Sequence, residues 1–219
     1  RQMIYRCMKR FFDVVLSGVA LIVLLPVFLI TYLGIFISSP GSVLFRSQRV
    51  GKNKKTFTMY KFRSMHLNNE KGHIITLRTD NRIFPFGAFL RKLKIDELPQ
   101  LVNILKGDMS IVGWRPEDEE NADIVFAGKY SEVLKAKPGL TSPGSLYDYT
   151  HGELYETEET YLNEFMSVKM DLELYYVKHC SLLYDAELIL RTIGTIIGMA
   201  LGKTHFNVPK ELTLIRKVE

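Results

Sequence analysis

Between Asp13 and Arg46 the chain contains no Asp, Glu, Lys, Arg or His. Its most apolar part, Val14 to Ile37, is about 24 residues long, roughly 36 Å as a helix, against a bilayer core of about 30 Å. Pro26 stands near the middle of the run, where a missing N–H and a ring clash predict a kink. Basic residues crowd both ends: Arg1, Arg6, Lys9 and Arg10 before it, Arg46, Arg49, Lys52, Lys54 and Lys55 after it. A crossing segment keeps its Lys and Arg mainly on the cytoplasmic side, and here neither flank reads as an outside. Two readings therefore stay open: a re-entrant hairpin that enters the cytoplasmic leaflet and returns, and a spanning helix with a tolerated proline. A cleavable signal peptide is not expected, because the run is too long and no small-residue cleavage site comes after it.

Beyond the run, Val43-Leu44-Phe45 and Thr56 to Phe62 read as strands, joined by the turn-forming Gly51-Lys52-Asn53-Lys54-Lys55 into a hairpin. Residues 66 to 82 read as a loop. Ile83 to Lys94 mixes Phe84, Phe86, Phe89 and Leu90 with Arg91, Lys92 and Lys94, which suits a membrane surface and equally the edge of a core. From Asp96 the spacing of Leu98, Leu101, Val102 and Leu105 predicts a helix that Gly107 stops. Lys137-Pro138-Gly139 signals a turn before a loop containing Pro143 and Gly144. Glu153 to Lys178 and Leu182 to Leu201 read as helices, the second with an apolar face through Ile189, Ile193, Ile196, Ile197 and Leu201. The tail from Lys203 is too mixed to assign. The expected fold is α+β: a helix-dominated cytosolic domain with a small β-hairpin, an N-terminal membrane helix that is re-entrant or spanning, and amphipathic interfacial helices. The boundaries are 1–45 for the membrane segment, 46–202 for the interfacial domain and 203–219 for the tail.

Composition narrows the choice of partner. The chain is 47% apolar, with a formal charge of +5 and a pI of about 9.1. That balance fits a phosphate-bearing partner, and the membrane run favours a lipid over a nucleic acid. Cys7 and Cys180 give no disulfide framework, as expected of a reducing compartment. His66, His73, His151, His179 and His205 lack zinc-type spacing.

The candidate chemistry centres on Asp96 and Glu97, just before Leu98-Pro99-Gln100. Acidic residues and proline also belong at a helix start for purely structural reasons. Lys61 and Arg63 at a strand end, Arg91 before the acidic pair, and Arg115 in Val112-Gly113-Trp114-Arg115-Pro116 change the weighting. Adjacent carboxylates among cations suit magnesium-dependent phosphoryl transfer, and an arginine held between Gly and Pro suits gripping phosphate oxygens.

Several segments taken in order go further: Lys9-Arg10-Phe11-Phe12-Asp13, Gln48-Arg49-Val50-Gly51, Lys61-Phe62-Arg63-Ser64-Met65, Asp96-Glu97-Leu98-Pro99-Gln100-Leu101, Leu105 to Gly113, Arg115-Pro116, Pro138-Gly139-Leu140-Thr141, and Tyr175-Tyr176-Val177 with Ser181 and Asp185. This set resembles the bacterial sugar transferase family, the small monotopic polyprenyl-phosphate phosphoglycosyl transferases, over nearly the whole chain. The resemblance implies that Asp96 is the nucleophile and a ligand of Mg2+, with Glu97 its catalytic partner. Lys61, Arg63, Arg91, Arg115 and Pro116 would form the substrate-phosphate site, and Pro26 would mark the kink of a re-entrant helix. The implied reaction passes a phosphosugar from a nucleotide-sugar donor, a UDP-sugar, through an aspartyl-phosphosugar to a polyprenyl phosphate acceptor. It begins glycan assembly on the cytosolic face of the bacterial inner membrane, among membrane lipids and without nucleic acid; oligomeric state stays open, a homodimer included.

The chain also departs from the pattern. Leu25-Pro26 replaces a frequent Ser-Pro, leaving Ser17 or Thr31 to support the helix break. Trp114 replaces a proline and is expected to pack rather than stack on a base. Ser142 to Tyr149 replaces Gly-Trp-Ala-Gln-Val-Asn-Gly-Arg, which leaves the sugar open. An acidic position before the double tyrosine falls on Glu173, or on Asp171 after a shift. A membrane-bound nucleotide-sugar hydrolase and a basic membrane scaffold are the competing readings.

Overall fold

The computed structural model describes residues 2–67, 82–152 and 164–215. Most of the loop expected at 66–82, and the first part of the helix expected from Glu153, lie outside them. The apolar run forms two helices, α1 (Gln2–Val23) and α2 (Leu25–Ser38), bent by 60° at their junction. The break falls at Leu24, and Pro26 sits in the first turn of α2. A proline there loses nothing, because first-turn N–H groups have no intrahelical partner, but the same missing donor keeps α1 from running on. Ser17 does not bridge the break: its hydroxyl donates to the Asp13 carbonyl inside α1, at 2.5 Å. Among the described residues no single helix is long and apolar enough to cross a membrane; the bent pair taken together is so by length and composition only.

The burial pattern of this pair is inverted. Asp13, Ser17 and Thr31 are buried, while Ile22, Val23, Ile30, Leu33 and Ile37 are exposed. A helix pair facing water would show the opposite stripe. The buried polar groups tie the pair to the rest of the chain. Asp13 Oδ1 accepts from the Ser110 hydroxyl and the Ile111 N–H, each at 3.0 Å. Arg10 donates to the carbonyls of Ile104 at 2.5 Å and Leu105 at 2.7 Å.

The hairpin forms as expected from β1 (Leu44–Val50) and β2 (Thr56–Phe62), paired antiparallel from Leu44 opposite Phe62 to Val50 opposite Thr56. β1 runs further than its apolar start suggested. Ladder bonds to β2, which buries Met59 and Phe62, carry polar Arg46 to Arg49 along. The segment after Ile83 is α3 (Pro85–Lys92), one side of which packs at the edge of a core. Leu90 and Gly87 are buried, the latter against the Ser64 carbonyl, while Phe89 is exposed.

The helix expected from Asp96 begins later, as α4 (Gln100–Lys106), and Gly107 ends it with φ of 94°. Asp96 and Glu97 occupy a separate 3-10 turn, Ile95–Glu97. Their carboxylates do not cap α4, whose N-cap position is Pro99. A second sheet has no counterpart in the sequence expectations: β3 (Ser110–Val112) pairs parallel with β4 (Gly139–Thr141). Gly113 and Gly139 permit this approach, since a Cβ on Gly139 would meet the Gly113 nitrogen at 2.1 Å. α5 (Glu119–Val125) and a 3-10 segment, Gly128–Lys135, lie between these strands in sequence. Trp114 is fully buried and donates from Nε1 to the Ala136 carbonyl at 3.1 Å, so it packs.

Pro143 and Gly144 do not lie in a loop. They open α6 (Pro143–His151), whose N-cap Ser142 accepts from the Ser145 N–H at 2.8 Å. α7 (Met166–His179) and α8 (Leu182–Ala200) complete the domain, Ser181 capping α8. The unassigned tail contains α9 (Lys210–Ile215), which buries Glu211 against Arg191 at 2.5 Å and the Tyr184 hydroxyl at 2.9 Å.

Candidate active site

The 3-10 turn buries both carboxyl groups, Asp96 at 6% exposure and Glu97 at 4%. Their surroundings differ sharply. Arg115 comes just after β3 and the close Gly113–Gly139 contact. Its Nη2 donates to Glu97 Oε1 at 2.8 Å and its Nη1 to Oε2 at 3.4 Å. Lys61, at the end of β2, brings its Nζ to 3.7 Å from Oε1. The Tyr149 hydroxyl, from α6, donates to Oε2 at 3.2 Å. Both Glu97 oxygens are thereby held. Asp96 Oδ1, in contrast, is buried with no hydrogen-bond partner among the described residues.

These neighbours push the two acids apart. Burial alone would raise the pKa of Glu97, but Arg115, then Lys61 and Lys94, hold it well below the usual carboxylate range. Burial, and then the charge of Glu97, raise Asp96 above its ordinary value against the pull of Lys61, Lys94 and Arg91. Carboxyls whose environments separate their pKa values are the arrangement from which distinct chemical roles arise. Burial also draws the Lys61 ammonium down to about 8, although Glu97 opposes the shift.

Of the residues singled out from sequence, Asp96, Glu97, Lys61 and Arg115 converge, and Arg91 lies near enough for its charge to act on Asp96. Pro116 is buried next to Arg115 and has no polar side-chain atom to offer a substrate. Arg63 is directed elsewhere. It is buried, and its guanidinium donates to the carbonyls of Ser39 and Pro40 just past α2; among the described residues neither carboxylate of the pair is a partner. Ser39 and Pro40 mark the end of the bent apolar helix pair, where free carbonyls attract a cation.

Lys94, Tyr149 and Asp148 also belong to this cluster, and the sequence motifs do not flag them. Asp148 Oδ2 lies 3.8 Å from Arg115 Nε. Lys94 stands two positions before Asp96 and could have been flagged on that ground, whereas Tyr149 arrives only because α6 folds back. Glu173, the acidic residue before the double tyrosine, is buried and accepts from the Arg115 N–H at 3.2 Å and the Ser142 hydroxyl at 2.7 Å. Burial raises its pKa to about 7. Asp171 instead takes the Lys129 ammonium at 2.7 Å and the Tyr130 hydroxyl at 3.0 Å.

A buried acidic pair ringed by cations, in a domain bonded to a bent apolar helix pair, is the arrangement of a membrane-associated phosphate-handling enzyme. The chain matches the bacterial sugar transferase family over residues 4–199 and belongs to it. It is 36% identical over 200 residues to a UDP-N-acetylgalactosamine-undecaprenyl-phosphate N-acetylgalactosaminephosphotransferase of Aeromonas hydrophila, covering 89% of this chain and 44% of that protein. It is 34% identical to a UDP-glucose:undecaprenyl-phosphate glucose-1-phosphate transferase of Caulobacter vibrioides, covering 86% of this chain and 69% of that protein. An exopolysaccharide production protein of Sinorhizobium fredii is 31% identical, with 86% and 84% covered. The chain spans under half the length of the Aeromonas protein and of UDP-glucose transferases from Xanthomonas campestris and Escherichia coli.

Proposed function

We propose that this protein transfers a sugar phosphate from a nucleoside diphosphate sugar, foremost a UDP-sugar, to a polyprenyl phosphate such as undecaprenyl phosphate. The observation that carries the reading is the contrast inside the acidic pair. Glu97 has both oxygens engaged and stays charged, while Asp96 keeps a buried oxygen without a partner among the described residues, free to form a bond. Asp96 is therefore the nucleophile and Glu97 the anchor that orients Arg115 and Lys61.

In the first half-reaction an Asp96 oxygen attacks the sugar-bearing phosphorus. An acyl-phosphate bond forms as the bond to the bridging oxygen breaks, and the nucleoside monophosphate leaves with that electron pair. In the second, a phosphate oxygen of the lipid attacks the same phosphorus and regenerates the Asp96 carboxylate. Two steps let a water-soluble donor and a lipid acceptor use one site in turn. Arg115, Lys61 and Arg91 stabilise charge on the transferring phosphoryl oxygens. A carboxylate has a second oxygen beside the attacking one, so Asp96 fits one protein ligand to Mg2+. Among the described residues no cluster of three ligating side chains is present, so donor oxygens and water would complete the shell, the usual arrangement for this ion. Magnesium, when bound, neutralises charge on the diphosphate.

The inverted burial of α1 and α2 supports a re-entrant hairpin in the cytosolic leaflet of the bacterial inner membrane. Arg63 would close its far end. Glycan assembly on a lipid carrier is then the biological role, in keeping with the names of the relatives. The test incubates detergent-solubilised protein with magnesium, undecaprenyl phosphate and a panel of nucleotide sugars, reading nucleoside monophosphate release. Asp96→Asn should reduce release to background and leave no phosphosugar adduct after brief exposure to labelled donor. Full turnover by that variant refutes the assignment, and release that ignores the lipid identifies a hydrolase instead.

A further inference from the structure

Lys94 combines two unusual features. Its φ is 55°, in the left-handed region, at the position that closes α3, where glycine or asparagine is the ordinary choice. Among the described residues the other non-glycine positions with positive φ, Asn53 and Lys54, lie in the hairpin turn. A long side chain kept on such a backbone next to a reactive pair points to use of that side chain. Its position supplies the use. The Lys94 ammonium sits 3.9 Å from the centroid of the Tyr149 ring, and the Arg115 guanidinium lies 5.8 Å from the same ring. It is close enough for its charge to act on Asp96 and Glu97, and the Glu97 oxygens take their hydrogen bonds from Arg115 and Tyr149 rather than from it. Tyr149 is itself fixed, buried and hydrogen-bonded to Glu97 Oε2.

A cation resting on an aromatic face is held in direction while its N–H donors remain available. We propose that Lys94 is a binding residue for the donor diphosphate, held on the Tyr149 ring until the donor enters and then released onto phosphate oxygens. Tyr149 is then a positioning residue with two functions, its ring for Lys94 and its hydroxyl for Glu97. The inference rests on the phosphosugar-transfer reading above and adds to it a contact that distinguishes donor from acceptor. The ligand class is a nucleoside diphosphate, recognised through its phosphates rather than its base or sugar.

The experiment compares wild type with Lys94→Met, Lys94→Arg, Lys94→Gly, Tyr149→Phe and Tyr149→Leu, in donor and acceptor titrations and in thermal melts with and without inorganic pyrophosphate. Loss of a charge-assisted contact predicts a donor KM raised roughly ten- to hundredfold in Lys94→Met and Lys94→Gly. The acceptor KM should stay within twofold, and the protection by pyrophosphate should be lost. Lys94→Arg should recover most of the affinity. Lys94→Gly should melt no lower than wild type, because glycine accepts the left-handed backbone, which a merely structural lysine would not predict. Tyr149→Phe should lower kcat while sparing donor KM, and Tyr149→Leu should disturb both. A donor KM within twofold of wild type in Lys94→Met, or an equal rise for donor and acceptor, overturns the proposal and leaves the transferase reading standing. Absence of nucleoside monophosphate release by the wild type, with pyrophosphate protection still dependent on Lys94, overturns the transferase reading instead.

Discussion

Replacing Glu97 by glutamine removes one negative charge from between Arg115, Lys61 and Asp96 while nearly preserving shape. Two consequences can be worked from the geometry. The first concerns stability. Glu97 is buried, and its partners keep only part of their surface in water, 23% for the Arg115 side chain and 19% for Lys61. Removing one member of a buried pair costs ~3–5 kcal/mol, and partial solvation of the cations favours the lower end. For a chain of this size ~3 kcal/mol corresponds to a melting point lower by roughly 6–12 °C. The pH dependence fixes the sign. The folded-state pKa of Glu97 lies below its unfolded value, so its contribution is complete above the unfolded pKa and is lost as pH falls through the folded one. The gap between wild type and Glu97→Gln should therefore be full at neutral pH and shrink on acidification. The second consequence concerns rate. The charge of Glu97 helps to raise the pKa of Asp96. Without it Asp96 ionises at lower pH, and the acid limb of the kcat profile should move down even though kcat itself falls. Melting followed by circular dichroism and a pH–rate profile of nucleoside monophosphate release measure both. An acid limb that stays in place or moves up, or a stability gap that widens on acidification, would refute the assignment of Glu97 as a charged anchor.

Two further outcomes rest on the same geometry. Burial draws Lys61 down to about 8, so activity that needs its charge should decline above that pH; Lys61→Arg should carry the alkaline limb upward, and pH–rate profiles of the two forms decide it. Arg63 binds the Ser39 and Pro40 carbonyls rather than the acidic pair, so Arg63→Met should leave donor KM within twofold. That variant should lose ~1–3 kcal/mol of stability from the orphaned carbonyls, read by thermal melts in detergent micelles.

The parts that were legible in the sequence are those whose signals are local. The hairpin comes from β-branched and aromatic residues around the Gly51-to-Lys55 turn, α4 from leucine spacing and a terminal glycine, and α8 from a long apolar face. The acidic pair with Lys61 and Arg115 was legible through ordered motifs, although nothing in the spacing alone says that they meet. Long-range packing decided the rest. β3 and β4 are three residues each and pair only because Gly113 and Gly139 let two backbones touch. α6 was hidden behind Pro143 and Gly144, which read as a turn unless Ser142 is recognised as a helix cap. Arg63 shares a motif with Lys61, and strand alternation would put both on one face. Arg63 still donates its backbone N–H to the Val43 carbonyl just past β2, yet its side chain reaches the Ser39 and Pro40 carbonyls rather than the acidic pair. α9 is tied down by the Arg191–Glu211 ion pair and the packing of Leu212, neither of which a local pattern announces.

Arg10 and Asp13 grip the end of α4 and the start of β3, so the greasy hairpin and the chemistry share one frame. Cutting the chain after Pro40 to obtain a detergent-free enzyme would take away the foundation along with the anchor. On the proposed reading, the same linkage ties the depth of the helix pair in a bilayer to the height of Asp96 above the lipid tails, and bilayer thickness would then be a lever on turnover.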